Sequence, residues 1–241
     1  MISRQLIDIP SYQVDELKRL RVSSFMELAQ QIAEDNSEAL GFGYNALIAR
    51  NCVWILSRMQ IHVVRMPRFK EKVSFETWHS GTMGPLFIRD YEMRSTEGSP
   101  LVIANSAWAI MDLDSRAVQR PDRFDIPMES LGRASELDSI PSKVRIPSDA
   151  VLEGSFEHTA SYSDVDYNHH VNNARYIVWA MDCLGDAAKS ELSCVNVNFI
   201  HEIAPGTTVT LRRYRLGNTV YVEAADGATQ AFTASFEFSA I

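Results

Sequence analysis

The chain has 241 residues, 46% hydrophobic and 10% aromatic, and its 23 Lys and Arg against 31 Asp and Glu give a formal charge of −8. This composition is typical of a folded soluble protein and excludes an intrinsically disordered chain, which would have too few apolar residues to build a core. The acidic balance also argues against a nucleic-acid partner, which would favour a basic surface.

The sequence carries no signal for secretion or membrane insertion. Arg4 and Asp8 interrupt the N-terminal stretch in which a secretory signal needs unbroken apolar residues. No run approaches the roughly 18 apolar residues of a membrane-spanning helix. Cys52, Cys183 and Cys194 are scattered without C-x-x-C spacing, and N-x-S/T sequons are absent. We therefore predict a soluble protein of a reducing compartment.

The first half of the chain predicts a strand, one helix and then four strands. Ser24 followed by Glu27 matches a capping box and predicts the start of the helix, and Gly41 predicts its end. Apolar runs, with a turn at Gly98 between the last two, predict strands near residues 52–64, 72–79, 87–94 and 101–112.

A proline-rich segment follows the first half. Four of the nine prolines lie between residues 113 and 150, mixed with Ser, Arg and Asp, which is typical of a linker. We therefore predict an N-terminal unit at 1–125, a linker at 126–150 and a C-terminal unit at 151–241.

The second half repeats the order of the first. Asn172 or Asn173 can cap a helix. Strands are predicted near residues 194–203, 207–214, 219–224 and 229–238. In the last of these, apolar residues alternate from Phe232 to Phe238, which predicts a half-buried strand. The shared order predicts an internal duplication, with an α+β fold of two units that each combine a sheet with one helix.

Polar side chains are densest at residues 163–173, immediately before the second helix. Asp166, Asn168 and His170 alternate, so either an extended segment or a turn would bring them to one side. The interpretation as a functional site competes with a simpler one, in which these are ordinary turn and N-cap residues.

The start of the second helix offers a second feature of this segment. The backbone N–H groups of Val171, Asn172 and Asn173 would point out of the helix N-terminus, where negative charge is favoured. We therefore predict an oxyanion site at these three residues.

Two further polar residues, His201 and Glu202, interrupt an otherwise apolar strand near its end. A carboxylate within the strand would face the core or a cleft, and a buried carboxylate is costly unless it has a function. Alternatively, Glu202 lies beyond the strand end and simply meets solvent.

The segment SDVDYNHHVNNARYIVW resembles the active-site motif of acyl-acyl carrier protein (acyl-ACP) thioesterases, the plant plastid enzymes and their bacterial relatives. The motif of that family, S-D-x-D-x-N-x-H-V-N-N followed by Tyr and Trp, is matched at Ser163, Asp164, Asp166, Asn168, His170, Val171, Asn172, Asn173, Tyr176 and Trp179. VWILSRMQIHVVRMP, FETW and IRDYEM in the first half are also similar to the family, so the resemblance covers nearly the whole chain.

The resemblance implies a double hotdog fold, in which each of two antiparallel sheets wraps around one helix and only the C-terminal unit is catalytic. It implies that Asp166, Asn168, His170 and Glu202 are the catalytic residues. The plant enzymes have Cys directly after this Glu, whereas this chain has Ile203, which excludes a Cys-His mechanism at that position.

Thioester hydrolysis needs an activated water and a stabilised oxyanion. We assign water activation to Glu202 or Asp166, with His170 orienting the water or polarising the carbonyl and Asn168 positioning the substrate or water. A rival mechanism has Asp166 attack directly to form an anhydride. No cofactor is predicted, and no metal, because Pro205 stands where an H-E-x-x-H motif would need its second His.

The resemblance also implies that the N-terminal half holds the acyl chain. Apolar residues of the first helix and its sheet that could line such a tunnel, or else form plain core, are Phe25, Met26, Ala29, Ile32, Trp54, Met59 and Trp108. Acyl carrier protein is acidic, so a local basic patch is required for docking. The candidate basic residues, which could equally form solvated faces, are Arg65, Arg68, Lys70 and Lys72 in one group and Arg116, Arg120 and Arg123 in another.

The resemblance therefore predicts hydrolysis of fatty acyl-ACP, with acyl carrier protein as the partner. The alternatives are an acyl-CoA thioesterase and a catalytically silent acyl-binding hotdog module. The absence of a transit peptide favours the bacterial cytoplasm over a plastid stroma, and hotdog units often pair, so a homodimer is a further expectation.

Overall fold

The computed structural model describes residues 1–127, 129–137 and 140–239. The chain divides into two compact units, Met1–Pro141 and Ser142–Ile241. Three residues of the predicted linker (128, 138 and 139) and the last two of the predicted C-terminal unit lie outside the described residues. Among the described helices, none has the length and apolar character that crossing a membrane requires.

The first unit is a five-stranded antiparallel sheet with one long helix. Its elements are β1 Ser3–Asp8, α1 Val22–Ala39, α2 Tyr44–Ile48, β2 Cys52–Val63, β3 Lys72–Met83, β4 Leu86–Ser95 and β5 Pro100–Asp112. The strands lie in the order β1-β3-β4-β5-β2. Helix α1 contacts β3 and β1. The predicted strands are confirmed to within a few residues at their ends, and α2 is an element that the apolar pattern did not predict.

Helix α1 starts earlier than the capping box predicted. It begins at Val22, after Arg21, and no side chain caps it. Ser24 is buried inside the first turn, so the predicted start is wrong. The buried stripe of the helix already includes Val22 and Phe25, which explains why burial rather than a polar cap determines where the helix begins. Gly41 has φ of 83° just after the helix, which confirms the predicted end.

Part of the predicted linker is packed against the first unit. Residues 129–137, which we call the strap, lie over strands β3 and β4 and are held by Arg133. The Arg133 guanidinium pairs with Glu76 at 2.8 Å and with Glu92, and it lies 4.4 Å from the ring centre of Trp78. The strap is therefore a bound part of the unit, because Arg133 pairs with both buried carboxylates, beside Arg4 at Glu76 and Arg94 at Glu92.

The second unit repeats this arrangement with five strands and one main helix. Its elements are β6 Val151–Thr159, α3 Asn173–Cys183, β7 Leu192–Phe199, β8 Thr208–Leu216, β9 Thr219–Asp226 and β10 Thr229–Phe238. The strand order is β7-β10-β9-β8-β6, and α3 contacts β8 and β9. Of the two predicted caps, Asn172 is the one that caps α3, since its side-chain oxygen accepts the N–H of Ala174 at 2.9 Å.

Strand β10 is buried on both faces. Phe232, Ala234 and Phe236 are inaccessible to solvent, as the alternation predicted. Thr233 and Ser235 on the opposite face are also buried, so the prediction of a half-buried strand is wrong. An alternating pattern identifies the apolar face but does not report what covers the polar one.

Candidate functional site

The polar segment before α3 folds as a tight loop organised by Asp166. The backbone N–H of Asp166 donates to the carbonyl of His170 at 3.0 Å, and the N–H of His169 donates back to the carbonyl of Asp166 at 3.0 Å. His169 has φ of 63°, a conformation that closes the turn. Of the two expected geometries, the loop adopts the turn.

The carboxylate of Asp166 is fixed inside this loop. Its Oδ1 accepts the backbone N–H of Asn168 at 2.9 Å, and its Oδ2 accepts Nδ2 of Asn172 at 3.2 Å. Hydrogen bonds to both oxygens hold the carboxylate in one orientation. The side chain of Asn168 is exposed, so this loop presents it to solvent.

His170 and Glu202 meet at this loop. Nε2 of His170 lies 3.5 Å from Oε1 of Glu202, and each side chain is 39% exposed. Strand β7 ends at Phe199, so Glu202 lies beyond the strand, as the simpler alternative required. It nevertheless faces His170 rather than only solvent. The two residues therefore form a partly solvated imidazole–carboxylate pair that a substrate and a water could reach.

Tyr176 on α3 connects the helix to the segment that carries Glu202. Its hydroxyl accepts the backbone N–H of Ile203 at 3.0 Å and donates to the carbonyl of His201 at 3.5 Å. The ring is 2% exposed, and burial raises the pKa of Tyr176 to about 12, so the hydroxyl keeps its proton. One side chain thus holds the residues on either side of Glu202.

The predicted oxyanion site is largely occupied by the loop itself. The N–H of Val171 donates to the carbonyl of Ile203 at 3.0 Å, and that of Asn172 donates to the carbonyl of Asp164 at 2.9 Å. These two assignments are therefore wrong for this conformation. Of these three N–H groups, that of Asn173 is the one for which the described part of the chain shows no acceptor.

The buried Asp164 anchors the same loop through hydrogen bonds to three residues. Its Oδ2 accepts the backbone N–H of Ser161 at 2.9 Å and Nε2 of His158 at 3.3 Å, and its Oδ1 accepts Nε1 of Trp179 at 3.2 Å. Burial by itself would raise the pKa of Asp164, but these hydrogen bonds outweigh it and lower the pKa. The sequence matched Asp164 and Tyr176 to the motif without indicating these roles.

The described part of the chain shows neither a reactive cysteine nor a cluster of metal ligands. Cys52, Cys183 and Cys194 are free and buried, and burial raises the pKa of Cys183 to about 11, which disfavours a thiolate. No group of three or more His, Cys, Asp or Glu among the described residues is arranged to hold a metal ion.

The first unit contains a cavity of about 50 Å³ between α1 and the sheet. Trp54 and Trp108, two of the predicted tunnel residues, line it. The other five are not among its walls and lie in the hydrophobic core, each at most 3% exposed: Phe25, Met26, Ala29, Ile32 and Met59. Their spacing along the helix and strand therefore reflects burial in the core, which is the commoner reason for such a pattern.

The two predicted basic groups are partly neutralised by acidic neighbours. In the first, Arg65 forms two bonds to Glu71 at 2.9 and 2.7 Å, and Lys72 lies 3.8 Å from Asp8. Arg68 and Lys70 complete that group, while the second comprises Arg116, Arg120 and Arg123. Arg120 in the second group pairs with Asp122 at 2.7 Å. These ion pairs reduce the positive charge that either group offers to an acidic partner.

Comparison with known proteins agrees with this architecture. A model of the acyl-ACP thioesterase N-terminal domain matches residues 2–123, and one of the C-terminal domain matches residues 153–234. The chain is 27% identical over 220 residues to a chloroplastic palmitoyl-acyl carrier protein thioesterase of Gossypium hirsutum, covering 84% of this chain and 52% of the relative. It thus spans about half the length of that plant relative.

Two solved structures share the fold. The crystal structure of an acyl-ACP thioesterase from Bacteroides thetaiotaomicron matches with a TM-score of 0.86 and 23% identity, covering 99% of this chain and 98% of that one. The 12:0-ACP thioesterase of Umbellularia californica matches with a TM-score of 0.84 and 20% identity, covering 99% and 97%. The predicted α+β class, with two hotdog units, is confirmed.

Proposed function

The chain belongs to the acyl-ACP thioesterase family, and from that premise we propose that it hydrolyses the thioester bond of fatty acyl-acyl carrier protein and releases the free fatty acid. The observation that carries this proposal is the pairing of His170 with Glu202, 3.5 Å apart, beside the loop that fixes the carboxylate of Asp166. A general base, a polarising group and an accessible cleft are what this reaction needs.

In the proposed reaction, a water oxygen attacks the thioester carbonyl while its proton passes to a carboxylate. The carbon–sulfur bond then breaks, and the phosphopantetheine thiolate leaves without strong acid assistance, because an ordinary thiol has a pKa of about 8.5. His170 orients the water or donates to the carbonyl oxygen. The N–H of Asn173, at the start of α3, is the remaining backbone donor for the developing oxyanion.

We assign the role of base to Glu202. Asp166 uses both of its oxygens to hold the loop, through Asn168 and Asn172, so proton transfer to it would weaken those bonds. The same bonds oppose direct attack by Asp166 to form an anhydride, since an oxygen that accepts a hydrogen bond is a weaker nucleophile. We assign the exposed side chain of Asn168 to the positioning of substrate or water.

Acyl carrier protein is the proposed partner, with the basic groups around Arg65 and Arg120 as its candidate docking surfaces. The alternative carrier is coenzyme A, which is also anionic, and the other alternative is a silent acyl-binding module. A homodimer and a bacterial cytoplasmic location are also proposed, the latter because three free cysteines suit a reducing compartment.

The test is product release from matched acyl-ACP and acyl-CoA series by wild type, His170→Ala and Glu202→Gln. We expect release from the carrier-protein series and a loss of about 10² to 10⁴ in turnover for both variants. His62→Ala, a histidine on β2 that bonds Gln60 at 2.8 Å, is the matched control and should retain turnover.

The competing outcomes point to different functions. Faster release from acyl-CoA would identify coenzyme A as the acyl carrier and leave the assignment of His170 and Glu202 unchanged. Wild-type turnover in both variants would overturn that assignment. Acyl binding without release from either series would leave the silent module.

A further inference from the structure

The cavity of the first unit contains a buried positive charge that the proposed reaction does not use. Arg89 on β4 lines the cavity, and only 6% of the residue is exposed. Its Nη1 donates to Oδ1 of Asn36 at 2.8 Å and to the hydroxyl of Thr77 at 3.3 Å, and its Nη2 donates to the hydroxyl of Ser37 at 3.1 Å. All three acceptors are neutral.

These bonds leave the guanidinium incompletely satisfied. A guanidinium has five N–H donors, and within the described part of the chain Arg89 uses three of them. A buried cation without an ion-pair partner is costly unless other polar groups supply the missing interactions. Burial lowers the pKa of Arg89, in keeping with this cost.

A carboxylate lies on another wall of the same cavity. Glu34 on α1 lines the cavity, and its Oε1 accepts the backbone N–H of Tyr44 at 3.3 Å. Burial raises the pKa of Glu34, while the charge of Arg89 acts to lower it. The third ionisable wall residue, His79, bonds the carbonyl of Pro127 at 2.7 Å, and burial lowers its pKa, which favours the neutral imidazole. Arg89 and Glu34 are therefore the charged donor and the charged acceptor among the polar walls, which also include Gln30 and Ser37.

The apolar walls are formed by four aromatic residues and two aliphatic ones: Phe42, Trp54, Phe87, Trp108, Ala33 and Ile88. The cavity volume of about 50 Å³ is decisive for its occupant. A water-sized group needs about 10–15 Å³ on this measure, so the space holds roughly three to five such groups. It fits the end of an elongated apolar molecule rather than the whole of one.

We infer that this cavity receives the end of an acyl group that bears a terminal hydroxyl. The inference rests on the proposed function and specifies its substrate class. A hydroxyl can accept from Arg89 and donate to Glu34 at once. A methyl end would exclude solvent from both residues and replace none of its hydrogen bonds, and a carboxylate end would pair with Arg89 but supply no donor to Glu34.

The test compares carrier-protein thioesters of eight to sixteen carbons that end in a methyl, a hydroxyl or a carboxylate. For wild type, kcat/KM is highest for the hydroxyl series at the preferred length. In Arg89→Met the kcat/KM for the hydroxyl substrate, divided by that for the methyl substrate, falls at least about tenfold. A lost hydrogen bond to a charged group has an effect of this size. In Glu34→Gln the carboxylate series gains relative to the hydroxyl series.

Arg58→Met is the matched control. Arg58 belongs to the same unit and donates to the carbonyl of Pro141 at 3.4 Å, but it does not line the cavity. Its hydroxyl-to-methyl ratio stays at the wild-type value. A ratio that is the same in wild type, Arg89→Met and Glu34→Gln overturns the inference.

The inference stays testable if Arg89→Met does not fold or if the wild type is inactive. If Arg89→Met does not fold, Glu34→Gln carries the test, because glutamine keeps the acceptor for Tyr44. If wild type hydrolyses no thioester, the proposed function fails, and calorimetry with free ω-hydroxy and unsubstituted fatty acids still tests the cavity. Equal affinity for the two acids overturns the inference independently of turnover.

Discussion

Asp15 in the first unit and Asp166 in the second make two equivalent hydrogen bonds within their loops, one by the carboxylate and one by the backbone. Asp15 Oδ1 accepts the N–H of Leu17 at 2.9 Å, as Asp166 Oδ1 accepts that of Asn168 at 2.9 Å. The N–H of Asp15 donates to the carbonyl of Arg19 at 2.8 Å, and that of Asp166 donates to the carbonyl of His170 at 3.0 Å.

The rest of the two loops matches as well. Lys18 and His169, each three residues after the aspartate, have φ of 61° and 63°. Residues 14–20 and 165–171 are thus two copies of one loop, and the duplication extends to individual hydrogen bonds. In the first copy, Leu17 and Arg19 stand where the second has Asn168 and His170. Arg19 there pairs with Asp15 at 2.8 Å, which converts the loop to a structural role.

This pair of loops separates structural from chemical contributions. Asp15→Asn should reduce the free energy of unfolding by about 1–3 kcal/mol, because it weakens the partner of the buried Arg19, and should leave kcat unchanged. Asp166→Asn should lower kcat by about a hundredfold, because it weakens the hydrogen bonds that hold the loop of His170 in place, with a similar or smaller effect on stability. Denaturant unfolding and steady-state kinetics on both variants measure the difference. Equal losses of kcat in the two variants would contradict the assignment of Asp166 as the residue that holds the catalytic loop in place.

Tyr176 should act on the reaction through Glu202. Tyr176→Phe keeps the buried ring but leaves the N–H of Ile203 without its acceptor, so the segment that carries Glu202 should shift. We expect kcat to fall by about ten- to a hundredfold with little change in KM, the effect of misplacing a reacting group by about 1 Å. Steady-state kinetics separate the two parameters.

The matched control for this variant is Tyr214→Phe. The Tyr214 hydroxyl donates to Oε1 of Glu223 at 2.9 Å on strands β8 and β9, so the substitution also removes one tyrosine hydrogen bond. It should leave kcat at the wild-type value. A fall in kcat of the same size in both variants would show that Tyr176 only stabilises the fold.

The strap should depend on a glycine. A Cβ at Gly132 would overlap the ring of Trp78, which is fully buried and cannot move aside. Gly132→Ala should therefore lift the strap and lower the free energy of unfolding by about 1–3 kcal/mol. Trp fluorescence and denaturant unfolding measure both effects. Gly43→Ala is the control, because the atoms nearest to its Cβ belong to the exposed, flexible side chain of Glu38, and an equal loss there would refute the steric explanation.

The sequence predicted what repeats along the chain better than what meets across it. Apolar periodicity identified the strands because burial imposes it directly. The capping box misjudged the start of α1, where the buried stripe at Val22 precedes the predicted polar cap. The proline-rich composition predicted a linker where the strap lies, because Arg133 is polar in sequence and becomes structural only through Glu76 and Glu92.

The candidate site shows the same division. The motif identified Asp166, His170 and Glu202 as residue types suited to the chemistry. It did not reveal that the N–H groups of Val171 and Asn172 are consumed by other backbone carbonyls, since those partners are fixed only by the folded loop. Arg89 is one of three charged residues in the segment IRDYEM, so the sequence did not single it out, and its neutral partners on α1 and β3 were not predictable.

Asp164 should make the stability of the second unit depend on pH. Its pKa in the folded protein is lowered, because the hydrogen bonds from Ser161, His158 and Trp179 favour the carboxylate more than burial opposes it. The stabilisation is therefore complete above the unfolded value of about 3.9 and is lost as pH falls through the lower, folded pKa. Asp164→Asn should cost about 1–3 kcal/mol at pH 7, measured by denaturant unfolding.

The difference between wild type and Asp164→Asn should then shrink as the unfolding experiment is repeated at falling pH, since a protonated Asp164 has no more charge than asparagine. Asp112→Asn provides the control, because Asp112 accepts the N–H and hydroxyl of Ser115 in an exposed turn, where solvent replaces those bonds, and its loss should be smaller at every pH. A difference for Asp164→Asn that stays constant down to the acid transition would mean that the shape of the side chain, rather than its charge, anchors the loop.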